Sequence, residues 1–223
     1  MIRLLCTFVF AASIAAFAGL YNGSQFSGAS ASAGPREAPI LSFRIDPSTS
    51  TFMVRAHRGG LVWFKGNDHY IAVRDFGGEA SLTLDALNPA SLSMTIQANS
   101  LEETGAKFTA PQKATIKKEL NEIVLESAKY PTITFRSTGV TGGVKNGGFD
   151  IKIAGDITLH GVTKHITIPA TVTVNGDTLN AKGKFELKRS DFGVKATTAF
   201  HGLVRVKDGL TFTFDINARR ANS

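Results

Sequence analysis

Five histidines, His57, His69, His160, His165 and His201, carry the widest chemical range in this chain, because imidazole can ligate a metal, move a proton or activate a nucleophile. Two of them, His160 and His165, stand five positions apart in GDITLHGVTKHITIP (155–169). On one uninterrupted strand they would point to opposite faces. Gly161, Val162, Thr163 and Lys164 read as a four-residue connection, however, and a hairpin closing there would set the histidines across from one another with Cβ atoms about 5 Å apart. A pair falls short of the three or four ligands of a zinc site, and no H-E-x-x-H occurs. The reading is therefore no metal and no cofactor.

Nucleophilic chemistry finds as little. There is no G-x-S-x-G, and the single cysteine, Cys6, lies in an N-terminal apolar run. Ser190-Asp191-Phe192-Gly193 contains an Asp-Phe-Gly, but without a Gly-rich phosphate loop or an H-R-D it reads as a strand end followed by a turn. The stretch FKGNDHYIAVRDF (64–76) gathers Lys65, Asn67, Asp68 and His69 beside Trp63 and Phe64. It reads either as a polar rim that meets a ligand's head group or as a solvated turn ahead of a strand. An enzyme working through Asp68 and His69 would want a third partner, which the sequence does not identify.

The elements that must position these residues are nearly all strands. LTFTFDINAR (210–219) alternates perfectly, with Leu210, Phe212, Phe214, Ile216 and Ala218 on one face. The same period recurs in 51–57, 71–85, 91–99, 132–138, 149–159, 165–174 and 179–188. Turn signals separate them at Asn88-Pro89, Gly142-Gly143, Asn146-Gly147-Gly148, Asn175-Gly176-Asp177 and Lys207-Asp208-Gly209. One segment differs. TAPQKATIKKELNEIVL pairs Thr109 with Gln112 at capping-box spacing and sets Ile116, Leu120, Ile123 and Val124 at helical intervals. A single helix cannot cover so many apolar strand faces, so the strands must face one another. Hairpin after hairpin predicts an all-β, antiparallel up-and-down barrel of about eight strands, with a Greek-key β-sandwich as the alternative.

The chain ends and the charge bound the setting. Arg3, the apolar run 4–20 and Ala31-Ser32-Ala33 compose an export signal over 1–33, with Ala16-Phe17-Ala18 as a second cleavage site and a retained membrane anchor as the competing reading. Residues 34–41 then form a flexible N-terminal segment and 42–220 the barrel domain. Cleavage would remove Arg3 from a net charge of +7, leaving +6, and would place the protein in the periplasm or outside the cell. That excess suits an anionic membrane surface. Nucleic acid is not expected, because Lys and Arg are scattered singly along strands instead of clustered with aromatics. The sequence leaves the oligomeric state open.

Asp46-Pro47 with Ser50, the VRAH ending at His57, KYPTITFRST (129–138), GDITLHGVTKHITI (155–168), KFELKRSDFGV (184–194) and VKDGLTFTFDINA (206–218) together resemble the YceI-like family, in order and spacing from about residue 43 to 219. The resemblance implies an exported, lipocalin-like barrel whose long apolar cavity binds a polyisoprenoid or similar lipid, with no enzymatic activity. Gly66-Asn67-Asp68-His69 is similar to the branch with a G-x-D-H turn before the second strand, although that branch commonly carries His at the position of Asn67. His165 stands where the family typically has Pro. His160 matches the family hairpin and reads as structural, and His165 reads as a local substitution, so the pair is not expected to be a site on which function depends.

The expected function is non-catalytic binding or transport of a polyisoprenoid or similar long-chain lipid, an isoprenoid quinone among them. The alternatives are a filled barrel that presents an edge or the helix to a partner, and a lipid-modifying enzyme using Asp68 and His69. Candidate cavity walls are Phe52, Val54, Trp63, Phe76, Phe135, Phe185, Phe212 and Phe214; candidate head-group contacts are Arg55, Lys65, His69 and Arg74. Burying a twenty-carbon tail gives a gross term of about 16 kcal/mol, near the non-covalent ceiling, and ordering of the tail offsets much of it. Tail burial would supply affinity and the polar mouth orientation.

Overall fold

The strongly alternating C-terminal stretch becomes the strand on which the sheet closes. The computed structural model describes residues 39–60, 64, 66–84, 89–195, 198–199 and 204–221. In it Val204–Arg220 (β12) pairs along one side with Thr178–Lys188 (β10), from Lys188 opposite Gly209 to Thr178 opposite Arg219. Its other side meets two strands in succession, Thr51–Gly59 (β2) and Leu41–Ile45 (β1).

β1 and β2 are one stave bent at Asp46. Its carboxylate accepts the Ser48 N–H at 3.1 Å while Pro47 opens a single tight turn, Pro47–Thr49. Ser50 Oγ then donates to Asp46 O at 2.6 Å and accepts the Asn217 N–H at 2.9 Å, which fixes the bend to β12. The next two staves break at matching levels. His69–Val73 (β3) and Phe76–Leu82 (β4) pair with β2 and β1; Ser91–Gln97 (β5) and Leu101–Glu103 (β6) pair with β4 and β3.

Beyond them Thr132–Lys145 (β7), Gly148–Leu159 (β8), Val162–Asn175 (β9) and β10 follow as a meander, and the short Thr198–Ala199 (β11) adds to β12. Every pairing is antiparallel. Because β1 hydrogen-bonds both β4 and β12, the sheet closes into an eight-stave, lipocalin-like barrel, and the sandwich alternative falls.

Alternation puts the apolar side chains inside. Phe43, Ile71, Phe76, Phe149 and Ala218 are among the most buried. Full burial of an aliphatic or Phe side chain contributes about 1.5–3 kcal/mol, and this inward face holds the cylinder together.

Three turn expectations are corrected, the first being Lys207-Asp208-Gly209, which lies inside β12 as an irregularity in its pairing with β2 between Val206 and Leu210. The β8–β9 hairpin closes on His160-Gly161 alone, both at positive φ (53° and 74°), and Leu159 faces Val162. That two-residue turn matches the strand twist better than a four-residue loop. His165 therefore lies opposite Asp156, not opposite His160. Gly142-Gly143 is no turn but part of β7, whose hairpin closes at Asn146-Gly147. Gly142 sits at φ 139°, and a Cβ there would come 2.1 Å from Asp150 O, so glycine is required by the close approach of β8.

Ala110–Glu119 (α1) crosses between β6 and β7 and widens into a π-turn, Leu120–Val124. The Thr109 N–H donates to Gln112 Oε1 at 2.8 Å, as the capping spacing predicts. Lys117 ties the helix to Glu102 of β6 at 2.7 Å. The wider turn shifts the helical phase: Ile116, Leu120 and Val124 face the interior, whereas Ile123 is 47% exposed.

Candidate binding cavity

The inward face is not completely filled. Phe185, Phe212 and Phe214 point inward but are only half-buried, as are Met94, Ile133 and Ile151. The space beside them forms two cavities, with about 150 Å³ and about 140 Å³ open to the centre of a water-sized sphere. Space lined by apolar side chains accepts apolar molecules more readily than water.

The larger cavity lies toward the β7–β8 and β9–β10 hairpin end. Phe52, Phe135, Phe149, Phe185 and Phe214 line it, and its polar wall residues are Ser81, Ser91 and Thr134. The smaller lies under the helix, with Val54, Ile71, Leu120, Val124, Leu210 and Phe212 in its wall together with His69, Glu119, Arg189 and Lys195. Ile133 belongs to both walls. An aromatic layer stands between them. Phe185 stacks on Phe212 at 4.9 Å and 12°, and Phe52 lies 6.4 Å from Phe212 and 6.5 Å from Phe214.

The expected wall residues are thus largely where the alternation puts them. Phe52, Phe135, Phe185 and Phe214 line one cavity and Val54 and Phe212 the other. Phe76 packs behind the wall, edge-on to Phe52 at 6.1 Å. Trp63 and Lys65, like His201, lie outside the described residues.

The expected head-group residues separate. His69 lines the helix-side cavity, stacked on Phe108 at 4.9 Å, with Nδ1 donating to Glu103 Oε2 at 2.8 Å. Burial alone would raise the Glu103 carboxyl, but His69 and the N–H groups of Gly105 and Tyr70 outweigh it and hold the group below the usual carboxylate range. Arg55 and Arg74 point outward from the barrel. Arg55 Nη2 donates to Asp68 at 2.7 Å and lies over the Tyr70 ring, and Arg74 pairs with Glu102 at 3.3 Å. Asp68 also accepts the Arg58 N–H at 3.0 Å. Burial works against its ionisation, yet that bond and Arg55 keep its carboxyl lowered. Asp68 and His69, though adjacent, therefore face different partners.

His160 Nε2 meets Glu126 at 2.7 Å and Tyr130 at a ring distance of 4.4 Å, while His165 Nδ1 meets Asp156 at 2.8 Å. Each is engaged by its own carboxylate. Among the described residues no three His, Cys, Asp or Glu side chains cluster as metal ligands would.

Sequence reasoning missed Glu119, Arg189 and Lys195. Glu119 follows an apolar position of the helix by three residues, a spacing that shares a face, and that signal could have found it. Arg189 keeps the inward parity of Phe185 and Leu187 one residue past β10, a second usable signal, whereas Lys195 follows a turn whose direction no periodicity encodes.

The comparisons agree with this architecture. Protein YceI of Escherichia coli O17:K52:H18 (strain UMN026 / ExPEC) is 32% identical over 185 residues, covering 78% of this chain and 85% of that protein. A UPF0312 protein of Pseudomonas aeruginosa (strain LESB58) is 33% identical over 144 residues, 61% of this chain and 66% of its own. The crystal structure of Burkholderia cenocepacia BcnA superposes with TM-score 0.60 at 20% identity, over 78% of this chain and 98% of that one. A polyisoprenoid binding domain from Saccharophagus degradans, implicated in plant cell wall breakdown, superposes with TM-score 0.57 at 13% identity, over 81% and 99%. The YceI-like domain profile matches residues 43–218, from the first stave to the last, and the chain belongs to that family.

Proposed function

We propose that this protein binds and carries a polyisoprenoid or similar long-chain lipid outside the cytoplasm, without chemical change to it. The observation that carries this reading is the half-buried state of inward-facing Phe185, Phe212 and Phe214 beside two cavities walled mainly by apolar side chains. A barrel evolved only for stability would close-pack these rings. The naming of the Saccharophagus neighbour as a polyisoprenoid binding domain supports the same ligand class.

Catalysis is not part of the proposal. Asp68 is committed to Arg55 and the Arg58 amide, and His69 to Glu103, so neither shares a proton path with the other. Export rests on the signal-like 1–33, and the +6 charge of the remainder suits loading at an anionic membrane surface.

Solvent extraction of the purified full chain followed by mass spectrometry tests the carrier. A stoichiometric isoprenoid or quinone is expected; a barrel that neither retains nor takes up any such lipid sinks the reading in favour of a partner-binding module. Intact-mass measurement of the exported form tests the location. A mass that begins at Gly34 is expected, and one retaining 1–33 would make this a tethered protein.

A further inference from the structure

The two cavities are chemically unequal. At the hairpin end the polar wall residues are three hydroxyls, whereas the helix-side chamber carries two cations, a carboxylate and an imidazole. A lipid with a polar head and an apolar tail has one low-energy orientation in such a pair.

Arg189 is the informative group. It starts the tight turn Arg189–Phe192, which is anchored by Phe192 at 1% exposure and ends on Gly193 at φ 67°. Its Nη1 donates to Val194 O at 2.9 Å. Its Nε is shut off from water and has no hydrogen-bond partner. The nearest carboxylate, Asp208, lies 3.8 Å away, beyond hydrogen-bond reach, because its oxygens accept the Ser190 N–H at 3.0 Å and the Ser190 hydroxyl at 2.7 Å. Those same bonds hold the Asp208 carboxyl below its ordinary value. Arg189 lines the helix-side chamber, and Asp208 balances its charge only from that distance. Lys195, six residues on, is exposed at the same wall and has no ion-pair partner among the described residues. Glu119 of the helix lines the same chamber, and His69 there is already hydrogen-bonded to Glu103.

Resting on the carrier reading above, we infer that the helix-side chamber is the head-group site. Arg189 and Lys195 bind a head group that ends in acceptor oxygens, a quinone carbonyl or a phosphate, while the tail passes the Phe185–Phe212 layer into the hairpin-end cavity. The Phe185–Phe212 ring layer must part for the tail to pass.

Three probes separate the parts of this inference: squalene, which has a tail and no head; a decyl-substituted benzoquinone; and farnesyl phosphate. Each is titrated by displacement of an apolar fluorescent dye from the full chain, wild type against Arg189→Met, Lys195→Met and Arg44→Met, the last an exposed cation at the opposite end of the barrel. Both chamber variants are expected to weaken farnesyl phosphate about tenfold or more, with squalene and the Arg44 variant unchanged. An accompanying loss for the quinone identifies acceptor oxygens in general; loss for the phosphate alone identifies an anionic head. Lys195 is exposed and makes no structural bond, so its variant reads the site even where Arg189→Met fails to fold. Equal losses for squalene and phosphate, or no loss for either head-bearing probe, overturn the inference while leaving the carrier standing. Failure of the wild type to bind any probe overturns both.

Discussion

The ring of Phe185 lies flat against that of Phe212, centroids 4.9 Å apart, and each ring also borders open space, one on the hairpin-end cavity and the other on the helix-side cavity. The two residues are cross-strand partners on β10 and β12, so the stack is set by sheet register. It divides the interior without filling it.

Enlarging this layer should therefore be tolerated by folding and not by binding. Phe212→Trp and Phe214→Trp grow into free volume, and urea unfolding should show less than the loss of about 1–3 kcal/mol typical of overpacking. Lipid recovered from the same preparations should fall. Full loss of stability with unchanged lipid content in both variants would show the space to be occupied by protein.

Gly183 faces Phe214 across the sheet, and a Cβ there would come 2.4 Å from Phe214 Cζ and equally close to Pro169 O. The ring can swing into the cavity but the carbonyl cannot yield, so Gly183→Ala should destabilise by about 1–3 kcal/mol. Gly77 has no atom within 4 Å of the same added methyl, and Gly77→Ala should be neutral or slightly stabilising. Equal denaturation midpoints for the two variants would refute the close approach.

Glu103 has no exposed side-chain surface and accepts from His69, Tyr70 and Gly105. Glu103→Ala leaves these donors without a partner and should lower stability at pH 7 by at least about 2 kcal/mol. The sign with pH follows from its depressed carboxyl. The contribution is fully present above the unfolded value of 4.5 and is lost as pH falls through the lower folded value, so wild type and variant should converge in acid below about pH 4.5. A gap that stayed constant from pH 7 to pH 3 would assign the loss to packing instead.

Equimolar zinc or nickel should leave the melting temperature unchanged, since His160 and His165 are held by Glu126 and Asp156 and do not face one another. A bound metal at a hundredfold excess over its dissociation constant would stabilise by about 2.7 kcal/mol, a shift easily seen by calorimetry. Such a shift, abolished in His165→Ala, would establish the site.

The period-two pattern by itself determined the fold class, the inward set Phe52, Val54, Phe135, Phe185, Phe212 and Phe214, and the one helix with its Thr109–Gln112 cap, because alternation and capping are local properties of the chain. Closure was a tertiary matter. It depends on β1 meeting β12 across more than 170 residues, a pairing no local pattern encodes. The same holds for turns and polar groups. Whether His160-Gly161 or a longer segment closes a hairpin depends on two left-handed residues whose strain neighbouring strands offset. Arg55 and Arg74 look on paper like Arg189, yet Arg189 extends the inward parity of β10 into the turn Arg189–Phe192, whereas the other two sit on outward-facing positions and find Asp68 and Glu102 there. The direction of a long side chain is decided by the curvature of the sheet beneath it and by which carboxylate lies within reach, and both exist only once the barrel has closed.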